Sequence, residues 1–498
     1  MLACELHHCG VRSVIVLEWL RERDDRLRGS NIMRPSAQVL DRLGLLDRFR
    51  RGDALSADGS PEGRLPALVP ARQQEVEEVL EEHLIRNGVD IRRGWQVTGV
   101  TQDEGEGVTV EVRDANGVPG VLRARYVVGC DGVRSTVRAA TGFATTGTDA
   151  TMTLYQALVT VSEPYPPPER LPNYYRGEKG VILWAPGDSR IVVLDFSGPP
   201  PRNAAPVTIE EIRERIREIS GVELNIGNAR SLGRFTDTTR QALNYRKGRV
   251  LLAGDAAHHH PPTGGGQGLN IALGDAANLG WKLAATLKGW APPGLLDTYD
   301  AERRPVGARA IRNSRAEMIL LKPDERMRPA YELYTEIWQD RGIRPHLIDL
   351  ISMGRVAYDM GVPARQAHPL LGNSASDLPV RGADGVDGVG RIGRLLRGGR
   401  GLLLDLAGRG DLDPDAALWK DRVDIVTATA AWHGADAEEV DALLVRPDGY
   451  VAWLLPRDGA PQPGPLCDSL RRWFGDHADQ TGRPAQAAPA AAAKGVTA

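Results

Sequence analysis

Cysteine is scarce in this chain. Its four residues, Cys4, Cys9, Cys130 and Cys467, form no C-x-x-C pair. That spacing excludes a disulfide framework and a cysteine-based zinc site, and it fits a reducing compartment, so a cytoplasmic location is expected. Aromatic residues make up only 5%, too few for a base-stacking platform. No sign of charge dominates: 62 Lys and Arg face 65 Asp and Glu, a net charge of −3. Such a balance gives no field to draw in nucleic acid or an anionic membrane. No apolar run approaches the roughly 20 residues a membrane span needs. The opening MLACELHHCGV has neither a basic n-region nor a small-residue cleavage site, so it does not read as a signal peptide.

An ordinary globular composition remains, 42% hydrophobic and 26% charged, in 498 residues. That length suits two or three domains of roughly 100–200 residues each. Leu2 to Gly10 reads as a helix, and Val11 to Leu17 (VRSVIVL) as a short buried strand closed by Glu18. Together they form the second half of a βαβ unit. Glu18 reads either as a solvated strand-end carboxylate or as the acid that accepts hydrogen bonds from a ribose. Helices are expected at Ala37 to Phe49 and Gln74 to Asn87. Strands at Val108 to Val112 and Val121 to Val128 flank an Asn116-Gly117 hairpin turn. From Thr151 to Asn244 strand patterns with Pro-rich connections predict an inserted antiparallel domain containing one helix, Ile209 to Ile219. A buried strand returns at Arg249, and helices dominate to about Asp359. Residues 361–400 read as a linker, 401–475 alternate again, and the Ala/Pro/Gly tail from about Gln480 reads as disordered.

The most informative stretch runs from Arg249 to Lys282. A buried strand brings Gly254-Asp255 to the carboxyl edge of a sheet, where open α/β sheets bind ligands. Asp255 can accept hydrogen bonds from ligand hydroxyls there. Pro261-Pro262-Thr263 stiffen the turn, and Gly264, Gly265, Gly266 and Gly268 allow a flat ligand to approach. The helix beginning near Leu269-Asn270 turns its first N–H groups toward partial negative charge. His258, His259 and His260 are consecutive, so they cannot all face one metal from regular structure and are read as surface or pocket-wall residues. A second motif, YVVGCDGVRSTVR (126–138), sets Asp131 before a helix with Ser135 as its N-cap.

These residues carry a resemblance. Asp255 with PPTGGGQGLN, the CDGVRSTVR motif, and Tyr299, Glu302, Arg303 and Pro305 in DTYDAERRPVG resemble the single-component FAD-dependent aromatic hydroxylases, the p-hydroxybenzoate and phenol hydroxylase family. RFTDTTRQALNYRKGRVLLAGD (234–255) is similar to the bacterial branch acting on aromatic polyketides and rifampicin-type antibiotics. The likeness covers about residues 1–475. It implies an α/β fold: a Rossmann-like FAD-binding domain (1–150 and 246–360), an inserted antiparallel-sheet substrate domain (151–245), a linker (361–400), a C-terminal thioredoxin-like domain (401–475) and a disordered tail (476–498). LVRPDGYVAWL (444–454) resembles the signature of that thioredoxin-like domain, which here has no C-x-x-C.

The resemblance also implies cofactor-binding roles. Glu18 matches the acid on the adenosine ribose. Arg28 matches an Arg near flavin and pyrophosphate, and Gln73 a Gln near the ribitol, with Arg72 where the family has Pro. Val97 matches a residue whose backbone meets adenine. Asp255 matches the ribitol-binding Asp, Leu269 and Asn270 the helix start against the flavin ring, and Pro262 a proline beside the flavin where oxygen reacts. Gly268 is expected to need positive φ beside the flavin. The Gly-rich turn is one residue longer than the commonest family form. The family's first strand and G-x-G-x-x-G turn align before Met1, so an upstream segment of roughly 20 residues is expected to carry them.

The implied reaction is hydroxylation of an aromatic, polyketide-type small molecule by FAD, NAD(P)H and O2 through a flavin C4a-hydroperoxide. No metal, nucleic acid or membrane partner is expected, and a homodimer is possible. Alternatives are a Baeyer–Villiger oxygenation, a flavin-dependent reductase and an inactive remnant. The substrate is expected against the 151–245 sheet, where Tyr155, Trp184 and Phe196 are either wall residues or ordinary core.

Overall fold

The computed structural model describes residues 1–24, 29, 31–49, 65, 66, 68–102, 107–201, 203–262, 266–351, 356–363, 367–382, 389–410, 412, 414–431, 440–457 and 464–477. The chain divides into two compact units. One comprises Met1–Trp281 with Asp297–Tyr358, the other Lys282–Leu296 with Asp359–Ala498.

In the first unit, Ile15–Glu18 pairs in parallel with Asp90–Arg93, Glu18 lying opposite Arg93. Gln73–Arg86 is the helix leading into the second of these strands, and its apolar face (Val76, Val79, Leu80, Leu84) is buried. The first strand was expected to be buried, yet Ile15 is 47% exposed. Among the described residues it has a neighbour on one side only. The expected helix from Ala37 to Phe49 is two elements, Arg34–Arg42 and a short Leu46–Phe49 turn of helix, because Gly44 takes φ +72° between them.

A second parallel pair joins Val250–Leu252 to Val127–Gly129. The expected strand 121–128 therefore splits. Its first half, Pro119–Ala124, belongs to an antiparallel meander with Val108–Arg113 and Gln96–Gln102, and its second half leaves for the parallel pair. Asp114 closes the hairpin turn by accepting from the N–H groups of Asn116 and Val118, with Gly117 at φ +81°.

The antiparallel sheet has the order Tyr174–Arg176, Gly180–Leu183, Gly187–Asp195, Thr153–Val161, Ile226–Thr236. Its helix, Ile209–Ser220, starts where Thr208 Oγ1 accepts from Glu211 N and ends at Gly221. Alternation along Thr153–Val161 separates two faces. Tyr155, Ala157, Val159 and Val161 pack with Ile212, Ile216 and Ile219 of that helix. Leu154 packs on the other side with Val181, Leu194 and Met318. Met318 belongs to the long helix Thr298–Leu321.

The second unit holds a sheet in which Gly401–Asp405 runs parallel to Val423–Thr427 and antiparallel to Val440–Val445. The last of these pairs with Val451–Pro456. Segment 361–400, read as a linker, carries the strands Pro379–Arg381 and Val389–Arg391, and the first also pairs with Thr429–Ala430. Among the described residues no helix is long and apolar enough to cross a membrane.

Candidate functional site

The strand Val250–Leu252 is buried along its whole length, and Tyr299 Oη donates to its Leu252 carbonyl at 2.8 Å. After the strand, Gly254 takes φ +60°, a conformation that a side chain would strain. Its N–H donates to Asp275 Oδ2 at 3.0 Å. Asp275 is wholly buried in the Gln267–Lys288 helix, and its other bonds fix it in place. His258 Nε2 lies 2.6 Å from Oδ2, and Arg303 Nε donates to Oδ1 at 2.7 Å. Burial pushes the Asp275 carboxyl up, but His258 and Arg303 outweigh it and hold the pKa at about 2. Arg303 also donates to the Ile271 carbonyl and the Tyr358 hydroxyl, so its own charge is satisfied. The turn is pinned from below, and Asp255 alone in it is exposed.

Above that turn lies the first turn of the helix Gln267–Lys288. Among the described residues outside its own helical turn, a Cβ placed on Gly268 would first meet Asp255 Oδ1 and His260 Nε2, each at 3.9 Å. The glycine was expected to need positive φ. That conformation falls instead on Gly266, at φ +117°, and Gly268 is helical. What Gly268 supplies is space between two polar groups. His260 is buried, and burial is the main cause that pushes its pKa down to about 4, against the bond to Pro261 that raises it. An unfolded histidine protonates near pH 6.5, so between there and pH 4 the unfolded chain binds the proton that the folded chain refuses. The stabilising contribution is present above pH 6.5 and lost as pH falls toward 4. Between pH 7 and pH 5 the chain should therefore lose roughly 2 kcal/mol more than a His260→Gln variant. Urea unfolding at the two pH values measures it, and equal losses would contradict the assignment.

Leu269 and Asn270 continue the site. Asn270 Oδ1 accepts from Met33 N at 2.8 Å, and its Nδ2 donates to the carbonyls of Asn31 and Gly266. Leu269 Cβ is 3.5 Å from where a side chain on Gly29 would start. Gln73 N donates to the Gly29 carbonyl at 2.9 Å, while its side chain bonds Glu77 at 2.7 Å. The structure thus brings Asp255, Gly268, Leu269, Asn270 and the Gln73 backbone around the start of one helix. Pro262 follows at the exposed edge, and Thr263, Gly264, Gly265 and Arg28 lie outside the described residues.

Glu18 and Val97 belong to a different strand cluster. Glu18 Oε1 accepts from Leu20 N at 2.8 Å, and its carbonyl accepts from Trp95 N at 3.0 Å. Val97 sits half-buried opposite Val112, next to a bulge before Gly99. Asp131 accepts from Val137 N at 2.9 Å and, with the N-cap Ser135, starts the helix Thr136–Ala140.

The three expected wall aromatics divide between the two sheet faces. Tyr155 bonds Glu211 at 3.0 Å and Trp184 bonds the Pro172 carbonyl at 3.0 Å. Both are core residues beneath the helix Ile209–Ser220. Phe196 lies on the opposite face, half-buried with Phe235 beside Met318.

Asp275 and Ser314 had no assigned role from sequence, Arg303 entered only as part of the DTYDAERRPVG motif, and of the three histidines read as surface or pocket-wall residues, His258 and His260 are buried. Asp275 had a signal: it follows Gly268 by two helical turns in a largely apolar helix, so a carboxylate there is buried on the same face. Among the described residues no group of three or more His, Cys, Asp or Glu side chains is arranged to hold a metal.

An exposed carboxylate on a fixed turn, an open glycine and helix N–H groups fit a polyol chain attached to a flat, partly negative ring. FAD has that shape. Comparison with known proteins agrees. Residues 1–314 match the family described as FAD binding domain, and residues 368–476 match aromatic-ring hydroxylase, C-terminal. The chain is 40% identical to the 12-dehydrotetracycline 5-monooxygenase/anhydrotetracycline 6-monooxygenase of Streptomyces rimosus, over 95% of this chain and 96% of that one. It is 38% identical to a rifampicin monooxygenase of Streptomyces venezuelae, with the same coverage. The solved anhydrotetracycline hydroxylase OxyS from Streptomyces rimosus superposes with a TM-score of 0.85 at 38% identity, covering 96% of this chain and 97% of that one. The chain belongs to the FAD-dependent aromatic hydroxylases, and its activity is that of a monooxygenase.

Proposed function

We propose that this chain hydroxylates an aromatic, polycyclic, polyketide-type small molecule, with NAD(P)H and O2 as co-substrates. The observation that carries the reading is the Asp255–Gly268 cradle, in a chain 40% identical to an enzyme named for tetracycline-type substrates. Bound FAD supplies the redox chemistry, taking reducing equivalents from NAD(P)H and delivering one oxygen atom of O2.

The chain's own residues bind and orient. Asp255 would accept from ribityl hydroxyls, and the first N–H groups of the helix Gln267–Lys288 would stabilise negative charge on the ring. Leu269 and Asn270 would hold the ring, Asn270 being itself fixed to the Asn31–Met33 strand, and Pro262 would stand beside it on the side where oxygen reacts. Glu18 and the Val97 backbone serve the adenosine end. The substrate lies against the sheet face of Phe196, Phe235 and Met318, whose apolar surface excludes water from the reacting centre. Strands Ile15–Glu18 with Asp90–Arg93, and Val250–Leu252 with Val127–Gly129, support a Rossmann-like reading of the FAD-binding part. The parallel pair and following hairpin of the second unit support a thioredoxin-like one. Cys467 stands there without a C-x-x-C partner, so no redox role is assigned to that unit.

Turnover of polycyclic aromatic polyketides under isotopically labelled O2 tests the proposal. The expected product carries one labelled oxygen as a ring hydroxyl, with NAD(P)H consumed. A labelled ester or lactone would instead identify a Baeyer–Villiger oxygenation. Substrate conversion without label would overturn the oxygenase reading.

A further inference from the structure

The corner at Pro261 holds a second polar group turned toward the spot that Asp255 faces. His260 is 7% exposed. Its Nδ1 lies 3.0 Å from the Pro261 carbonyl oxygen and 3.0 Å from Ser314 Oγ, and Ser314 is wholly buried. A carbonyl only accepts, so Nδ1 carries the proton and Nε2 keeps its lone pair. Nε2 is buried and, among the described residues, makes no hydrogen bond. Leaving such an atom unpaired costs stability, so it marks a place where a partner belongs. A Cβ on Gly268 would lie 3.9 Å from this Nε2 and 3.9 Å from Asp255 Oδ1. Two acceptors therefore bracket one small space over the first turn of the helix, and no described residue donates to either.

A space between two acceptors calls for two donors close together. Neighbouring hydroxyls of a polyol chain each bring one proton. The oxidised flavin ring offers a single N–H, on its pyrimidine edge. We propose that His260 is a second polar anchor for FAD, its Nε2 accepting a hydrogen bond from a ribityl hydroxyl seated over Gly268, beside a hydroxyl held by Asp255. The proposal rests on the reading of Asp255 as the ribityl-binding carboxylate. Ser314 and the Pro261 carbonyl act through His260: they fix its ring and tautomer, and are positioning groups. The low pKa of His260 keeps the ring neutral, and so an acceptor, at physiological pH.

The test measures FAD dissociation from the full chain by quenching of flavin fluorescence. It compares the unaltered chain, His260→Asn and His260→Gln. Asn reaches only the Nδ1 position, whereas Gln places its amide near Nε2. FAD binding to H260N should weaken on the order of tenfold, and H260Q should stay within about threefold. With FAD analogues lacking the 2′, 3′ or 4′ ribityl hydroxyl, the deficit of H260N should vanish for one of the three. Unchanged FAD binding by H260N overturns the proposal. So does a deficit that persists with every analogue, since the partner would then be a water or another protein group. Circular dichroism reports whether the variants fold. If H260N does not, nitrogen NMR of the histidine-labelled unaltered chain decides. The Nε2 resonance of His260 should move upfield on adding FAD, and a resonance that stays put overturns the proposal. Failure of the underlying reading shows separately, as unchanged FAD affinity in Asp255→Ala.

Discussion

Arg303→Ala should destabilise the first unit by about 3–5 kcal/mol, the cost of stripping one partner from a buried ion pair. Arg303 is 2% exposed and donates through Nε to Asp275, which is wholly buried. Without the guanidinium, Asp275 keeps His258 and the Gly254 N–H, but it loses one of the two partners that offset its burial. Its pKa, held at about 2, should rise toward or past the ordinary carboxylate range of 3.8. In the unaltered chain this depressed pKa contributes stability that is present above pH 3.8 and lost as pH falls to about 2. In the variant that contribution should vanish as the folded pKa reaches 3.8, and past 3.8 it should reverse, so that acid no longer weakens the fold through this group. Lysine should not restore the site, because a single ammonium cannot reach Asp275, the Ile271 carbonyl and the Tyr358 hydroxyl together. Denaturant unfolding across pH measures both effects. A loss below about 1 kcal/mol, the range of exposed ion pairs, would show that the network does not hold the turn.

Gly268→Val should leave the fold standing and weaken FAD binding. The backbone there is helical and glycine is the poorer helix former of the two, so valine costs nothing in helix propensity. Among the described residues outside its own helical turn, the nearest atoms to the new Cβ are Asp255 Oδ1 and His260 Nε2, each at 3.9 Å. Its methyl groups instead enter the space bracketed by Asp255 and His260. Overfilling a fitted space costs roughly 1–3 kcal/mol, a tenfold to hundredfold loss of affinity. Gly268→Ala should lie between the two. Unfolding midpoints without FAD, beside FAD affinities, separate the effects. A valine variant with unchanged FAD affinity would mean that the ligand does not cross this point.

Sequence signals were strongest where one short stretch does one job. Gly254 and Asp255 stood out because a buried strand, a glycine and an exposed acid are contiguous. Asn116-Gly117 declared its turn for the same reason. The partners of Asp275 were hidden because Arg303 lies 28 residues away and His258 17 away, and only the packing of two helices and the short strand His258–His259 brings them together. Tyr155 and Trp184 carried no mark of the sheet face they occupy. Alternation orders the faces relative to one another, and it takes the position of the helix Ile209–Ser220 to say which one is covered. The strand at 121–128 broke in two because its halves hydrogen-bond in different sheets, a choice made by distant partners.

The central claim is that FAD binds where Asp255 meets the start of the helix Gln267–Lys288. Equilibrium dialysis of FAD against the unaltered chain and Asp255→Ala tests it most directly, with circular dichroism to confirm that both are folded. Hydrogen bonds to a charged group contribute about 1.5–3 kcal/mol, so the alanine variant should bind FAD roughly tenfold to a hundredfold more weakly. An Asp255→Ala chain that is folded and holds FAD as tightly as the unaltered one would contradict the claim.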